Sequence, residues 1–404
     1  MSSQYFDSIS NALTLAGRHY PTLVIDKERL DLNLNQLMQV IDQGFDYRIV
    51  AKSLPSVPML RYIMQRTGTN RLMSFHLPFV CHVVKHIPQA DIMLGKPMPV
   101  AAARQFYRWF VQQPQNAFDP AVQLHWLVDS EVRLKQYEQL GTELNIKINV
   151  CLELDIGLHR GGYSDKQALR TTVEFIQTSE CLTLTGVMGY EAHVSKIPLF
   201  LGGATLAFIQ AMHCYDQFVD VIAEVIGDEA TQSLILNAGG SSTYPLYCDE
   251  SSTVTHVNEI ATASALVKPT DFDVFTLEHH QPAAFIATPV LKVVNNPDIP
   301  SASLLSKVQR VAGASPRKAC FVYGGNWLAT PCYPQASKRA NILGHSSNQE
   351  MYELEDDSSL AMDDFFFFRP TQSESVMLQF GELAVYEDGK IVENWSVFEA
   401  EKLT

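Results

Sequence analysis

The feature that most constrains this 404-residue chain is a repeated beat of short apolar strand, loop and amphipathic helix, which fills roughly its first two-thirds. The strands read as Thr22 to Asp26 (TLVID), then YRIVAKSL, RLMSFHL, DIMLGK, QLHWLVDS, IKINVCLELDIG, LTLTGVMGYEAH and SLILNAGGSS, eight in all. A helical pattern separates each consecutive pair. The first carries Leu30, Leu34, Leu37, Met38 and Ile41, and the last runs from about Ala204 to Ile226. Such alternation implies a parallel sheet with right-handed crossovers. Eight units suit a closed (β/α)8 TIM barrel over residues 20–252, with Lys52 ending its second strand. A doubly wound open sheet is the rival that the pattern leaves standing.

After about Ser252 the rhythm changes to strand-like runs punctuated by Gly and Pro, such as AAFIATPVLKVVN and KACFVYGGNWLA. A mainly β domain over 253–404 is expected, with residues 1–19 packed on it. Asp388-Gly389 inside AVYEDGKIVENW signals a type I′ hairpin turn. The polar stretch from Asn341 to Asp364 reads as a surface excursion. The turn Gly324-Gly325-Asn326 before Trp327 reads as a hairpin turn or as the border of a substrate pocket.

Composition narrows the function. A formal net charge of -14 disfavours partners that need a basic surface, so neither nucleic acid nor an anionic membrane is expected. Seven cysteines without CxxC spacing read as thiols of a reducing compartment. With no evident signal segment and no apolar run of spanning length, a cytoplasmic enzyme is the expectation.

In a barrel of this kind the chemistry sits at the C-terminal ends of the strands. The second strand ends on Lys52, where partial desolvation would favour the nucleophilic amine; a snorkelling surface lysine reads the same way. The sixth ends in Glu153-Leu154-Asp155 and runs through Gly157 to Arg160-Gly161-Gly162. Its acids must be paired or functional, and the arginine is placed to donate to an anion or phenolate, or to form a structural ion pair. The seventh ends in Tyr190-Glu191-Ala192-His193, where Tyr190 and His193 are proton-transfer candidates or ordinary core residues. The eighth opens into Gly239-Gly240-Ser241-Ser242-Thr243-Tyr244, a phosphate cradle or a plain turn.

Taken together, these stretches resemble the fold-type III enzymes of pyridoxal 5'-phosphate (PLP), whose barrel is shared with alanine racemase. The D-threonine aldolase and D-serine dehydratase branch is most similar. The likeness rests on PTLVID with Leu30 and Asn33, the lysine strand, ELDIGLHRGG, GYEAH, NAGGSSTY and the closing VYEDGKIVENWSVF. It implies that Lys52 carries PLP as a Schiff base and that Arg160 contacts the ring hydroxyl. Gly239, Gly240, Ser241 and Ser242 would hold the phosphate with Tyr244 nearby, and Tyr190 and His193 would face cofactor or substrate. Related barrels also imply a homodimer.

The sequence departs from that branch at its metal pair, P-x-H-x-C or P-x-H-x-D, where this chain reads Pro370-Thr371-Gln372-Ser373-Glu374. An amide is a poor zinc ligand, so no tight zinc site is expected; Gln372 and Glu374 remain weak candidates for Mg2+ or Mn2+. His345 and the Asp363-Asp364 pair read as solvated. The resemblance therefore implies a PLP-dependent lyase of aldolase or dehydratase type, acting on a D- or β-hydroxy amino acid. A metal-independent racemase or epimerase is the alternative, with a non-catalytic PLP-binding protein behind it.

Overall fold

Helix α1 (Ser3–Leu15) and strand β1 (Thr22–Asp26) open the chain, and α2 (Lys27–Ile41) leads into eight parallel strands. These are β2 (Asp46–Val50), β3 (Arg71–Ser74), β4 (Asp91–Leu94), β5 (Leu124–Val128), β6 (Ile148–Leu154), β7 (Leu182–Gly189), β8 (Ile235–Ala238) and β9 (Glu259–Thr262). Between them lie α3 (Val57–Thr67), α4 (Leu77–His86), α5 (Val100–Phe110), α6 (Pro120–Gln123), α7 (Glu131–Leu144), α8 (Lys166–Thr178), α9 (Gly203–Ile226) and α10 (Asp228–Gln232). The computed structural model describes residues 2–113, 117–248, 256–297, 317–340 and 343–402.

Strands β2 to β9 form a closed barrel, with Asp46 to Ile49 of β2 pairing in parallel with Glu259 to Thr262 of β9. Several βα loops end on side chains that cap the next helix. Ser56 accepts from the Met59 N–H, Ser130 from Arg133 and Asp165 from Ala168. Each cap satisfies an otherwise orphaned amide, worth about 1 kcal/mol.

The barrel is offset by one strand from the sequence reading. Thr22 to Asp26 lies outside it, and Glu259 to Thr262 closes it, so Lys52 follows the first barrel strand rather than the second. Strand β1 is buried along its whole length, as a barrel strand would be, so its apolar run does not distinguish the two locations. Strand β9 is only four residues long and begins with a glutamate, which hides it from a hydrophobic pattern.

That glutamate is fully buried, and so is its partner Arg48 of β2, which meets Glu259 at 2.5 and 2.9 Å and Asp91 at 2.7 Å. Arg71 and Asn237 also donate to Glu259, both at 2.8 Å. Burial alone would raise both acids, but the His125 hydrogen bond and Arg48 hold Asp91 below its ordinary range, and Arg48 and Arg71 do so for Glu259. This polar core inside the barrel was not foreseen.

The second unit is a mixed sheet built from β1, β10 (Ala284–Asn295), β11 (Lys318–Tyr323), β12 (Ala329–Tyr333), β13 (Lys338–Arg339), β14 (Gln349–Leu354), β15 (Phe365–Pro370), β16 (Glu382–Glu387) and β17 (Lys390–Ser396). β1 pairs antiparallel with β10 and parallel with β16. Phe6, Ile9, Ala12 and Leu13 of α1 pack in one apolar cluster with Val24, Phe285 and Phe367. Asp388 and Gly389 turn β16 into β17 with φ of 48° and 74°, as a type I′ turn requires.

The stretch 341–364 is not all surface excursion: it contains β14, whose Met351 and Tyr352 are buried, while residues 341–342 lie outside those described. The Gly324-Gly325-Asn326 turn folds over Glu350 of this strand, and the Asn326 N–H donates to its carboxylate at 2.8 Å. His345 is paired with the same glutamate at 3.1 Å. Asp364 accepts from the Ala361 N–H at 2.8 Å, and Asp363 bends the chain at φ 71°.

Candidate active site

Because the eight strands are parallel, their C-terminal ends share one rim. Lys52, Arg160, Tyr190 with His193, and residues 239–244 follow four of these ends, those of β2, β6, β7 and β8.

Lys52 sits in a single helical turn, Ala51–Ser53, directly after β2. Its neighbours Ala51 and Ser53 are buried but its own side chain is exposed, so the partial desolvation expected of it is not found. Its Nζ lies 4.8 Å from the centre of the Phe75 ring, a cation–π distance. Phe75 can occupy that place because Gly95, at the end of β4, has no side chain: a Cβ there would fall 2.2 Å from the ring.

After β6 the chain turns back on itself. The Asp155 N–H donates to the Tyr163 carbonyl at 3.0 Å, and the Asp155 carboxylate accepts from the N–H groups of Gly157 and His159 and bonds the His159 ring at 2.9 Å. Asp155 therefore shapes the loop that presents Arg160. The Arg160 guanidinium lies 5.3 Å from the centre of the Tyr190 ring, which joins the β6 and β7 loops. Glu153 is partly buried; desolvation raises its pKa and Arg160 pulls it back.

The β7 loop supplies Tyr190, Glu191 and His193. The Nδ1 atom of His193 is buried with no hydrogen-bond partner among the described residues. Burial lowers its pKa below the usual value, with His159 adding to the effect and Asp155 opposing it. A neutral imidazole with an unused nitrogen is suited to moving a proton.

The loop after β8 is held from below by Glu191. This carboxylate is fully buried and accepts from the Gly239 N–H at 3.2 Å, the Thr243 hydroxyl at 2.6 Å and the Tyr247 hydroxyl at 3.2 Å. Burial raises its pKa, and those donors act in the opposite direction. Gly239 adopts φ 91°, and a Cβ on Gly240 would lie 2.7 Å from the Tyr190 ring. The Ser241 hydroxyl is paired with Thr262 at 2.9 Å, the Ser242 carbonyl accepts from Thr276, and Tyr244 is buried beneath the loop. Among the described residues, the N–H groups of Gly240, Ser241 and Ser242 find no protein acceptor. Three successive amides left open in a glycine-serine turn suit a phosphate group.

A family model for the alanine racemase N-terminal domain matches residues 25–257, more than half of the chain. The chain belongs to the alanine racemase N-terminal domain family. This is a PLP-dependent family of the fold-type III barrel. Among solved structures, D-threonine aldolase from Filomicrobium marinum is similar at 14% identity and TM-score 0.71, over 93% of this chain and 94% of that one. D-threo-3-hydroxyaspartate dehydratase from Delftia sp. HT23 gives 15% and 0.68, over 94% and 97%. Alanine racemase of Clostridium difficile 630 in complex with cycloserine gives 11% and 0.65, over 93% and 98%. No curated protein matches the chain significantly by sequence. No helix among the described residues is long and apolar enough to cross a membrane.

The rim residues fit the family's cofactor: an amine at Lys52, open amides for a phosphate, and an arginine over Tyr190. The Pro370 to Glu374 stretch fits a metal less well. The Gln372 amide donates to Asp271 at 2.9 Å, and Glu374, near the Ser373 hydroxyl at 3.4 Å, belongs to no cluster of three His, Cys, Asp or Glu ligands among the described residues. Sequence reasoning missed Glu191, Thr243, Phe75 and Gly95. The place of Glu191 directly after the apolar run of β7, within Tyr190-Glu191-Ala192-His193, was the one available signal for it.

Proposed function

We propose that the protein is a PLP-dependent lyase acting on a D- or β-hydroxy amino acid, with Lys52 as the cofactor's lysine. The observation carrying the cofactor assignment is the rim itself, where open amides at Gly240 to Ser242 share one barrel end with Lys52 and Arg160. The lyase reading is supported by the near full-length likeness to an aldolase and a dehydratase.

PLP, when bound, acts as an electron sink for negative charge at the substrate α-carbon. The protein's own groups would do the rest. Gly239, Gly240, Ser241 and Ser242, with Tyr244 packed below, would hold the phosphate. Arg160 would donate to the ring oxygen, and its approach to Tyr190 keeps both side chains at that place. The Lys52 amine would hold the cofactor when substrate is absent and serve as a base when substrate is present. The unused Nδ1 of His193 would take or return a proton at the reacting carbon or its hydroxyl.

A second reading, a racemase or epimerase that works without a metal, is favoured by Gln372, whose amide is engaged as a donor to Asp271. Turnover separates the two. The lyase reading expects glycine with acetaldehyde from D-threonine, or ammonia with a keto acid from D-serine or 3-hydroxyaspartate. The racemase reading expects solvent deuterium at the α-carbon with inversion and no cleavage. No turnover of any 3-hydroxy amino acid, with or without divalent metal, contradicts the lyase. A small amino-acid substrate and a homodimer, the latter tested by light scattering, belong to the same proposal.

A further inference from the structure

Away from the rim, α4 carries His82 and His86 four residues apart, which places both imidazoles on one face, one turn apart. Their ring centres are 4.4 Å apart. His82 is 7% exposed, and its Nδ1 is buried without a hydrogen-bond partner. A buried polar atom with no partner is costly and asks for an explanation, such as an ion. The nearest acid is Glu401, whose Oε1 lies 3.6 Å from that nitrogen, too long for a good hydrogen bond.

Glu401 is brought there by the C-terminal segment. The Phe398 N–H donates to the Pro55 carbonyl at 2.7 Å. The Phe398 ring packs 5.3 Å from Phe79 and 5.1 Å from His82, both on α4. One ligand atom from each of His82, His86 and Glu401 lies within 4.8 Å of the others, and no other such trio occurs among the described residues.

We propose that His82, His86 and Glu401 form a structural site for a divalent transition metal, zinc above all, which fastens the segment from Phe398 onward to α4. Two imidazoles and one carboxylate match zinc's preferences; calcium and magnesium take oxygen ligands. Tetrahedral zinc needs its ligand atoms about 3.4 Å apart, so the widest pair of the trio must close by at most about 1.4 Å. The exposed His86 ring is free to swing that far. The Lys85 ammonium now sits 3.1 and 3.3 Å from the Glu401 oxygens. It is the resident cation and must move aside, so it competes with the metal. Because the same segment bonds Pro55, three residues after Lys52, the site would also brace the loop that follows the rim lysine.

The test is zinc titration of the metal-free, PLP-loaded full-length protein by calorimetry, with thermal melting alongside. Wild type is expected to bind one Zn2+ per chain and to melt at higher temperature with it. His86→Ala changes an exposed position, and Glu401→Gln keeps the size of a side chain that is 17% exposed, so both should fold. Each is expected to weaken binding by about tenfold or more and to abolish the zinc-induced stabilisation. Lys85→Ala is expected to bind zinc more tightly. The proposal is overturned if wild type shows no saturable zinc binding, or if either His86→Ala or Glu401→Gln binds zinc as wild type does.

Discussion

Glu191→Gln asks whether a buried carboxylate sets the shape of the phosphate loop. Glu191 Oε1 takes the Thr243 and Tyr247 hydroxyls, and Oε2 takes the Gly239 N–H. Glutamine has nearly the same size, and its single oxygen can keep the two hydroxyls. Its NH2 group then faces the Gly239 N–H, donor against donor, in a fully buried place. An unsatisfied buried amide costs about 1–3 kcal/mol. If that cost falls on the loop, PLP should bind roughly 5- to 150-fold more weakly, at 1.4 kcal/mol per tenfold. Fluorescence titration of the cofactor-free protein with PLP reads this directly, and melting of the same cofactor-free protein reads any general loss of stability. An affinity within about twofold of wild type, the usual scatter of such comparisons, would refute the positioning role even if the melting temperature dropped.

Other expectations follow from the same geometry. Gly240→Ala places a Cβ 2.7 Å from the Tyr190 ring, so that ring or the loop must shift and PLP binding should weaken by about tenfold or more, read by the same fluorescence titration. His193 has a lowered pKa and would act as a neutral base. Activity should therefore fall as pH drops through a value below the usual 6.5, and His193→Gln should remove that limb and lower kcat by about 10²- to 10⁴-fold. Arg48→Met leaves Asp91 and Glu259 without their main cation, a loss of about 3–5 kcal/mol by urea unfolding at neutral pH. In wild type both acids have depressed pKa values, so their contribution is complete above the unfolded value of about 4 and is lost as pH falls through the folded one. In the variant the orphaned acids take up protons more readily, so its deficit should shrink between neutral pH and pH about 5; a constant deficit contradicts the network's role.

The barrel was legible because its strands and helices differ in period, and that difference survives in sequence. The one-strand offset was not, because β1 is as apolar and as buried as any barrel strand. Strand β9 stayed hidden because Glu259, a residue no pattern assigns to a core, is neutralised by Arg48 and Arg71 from other strands. Lys52, Arg160, Tyr190, His193 and the glycine-serine loop could be picked out because each follows an apolar run. Glu191 could not be given its place, since its partners lie 48, 52 and 56 residues away and only the folded barrel brings them together. The same holds for Phe75, whose position beside Lys52 depends on the space left by Gly95.

The central claim is that Lys52 holds the cofactor, and one measurement tests it most directly. The PLP-loaded protein is reduced with borohydride, digested, and its peptides are read by mass spectrometry. The account predicts a phosphopyridoxyl group on the peptide containing Lys52, and none from a Lys52→Ala variant treated identically. Labelling of any other lysine with Lys52 unmodified would contradict it.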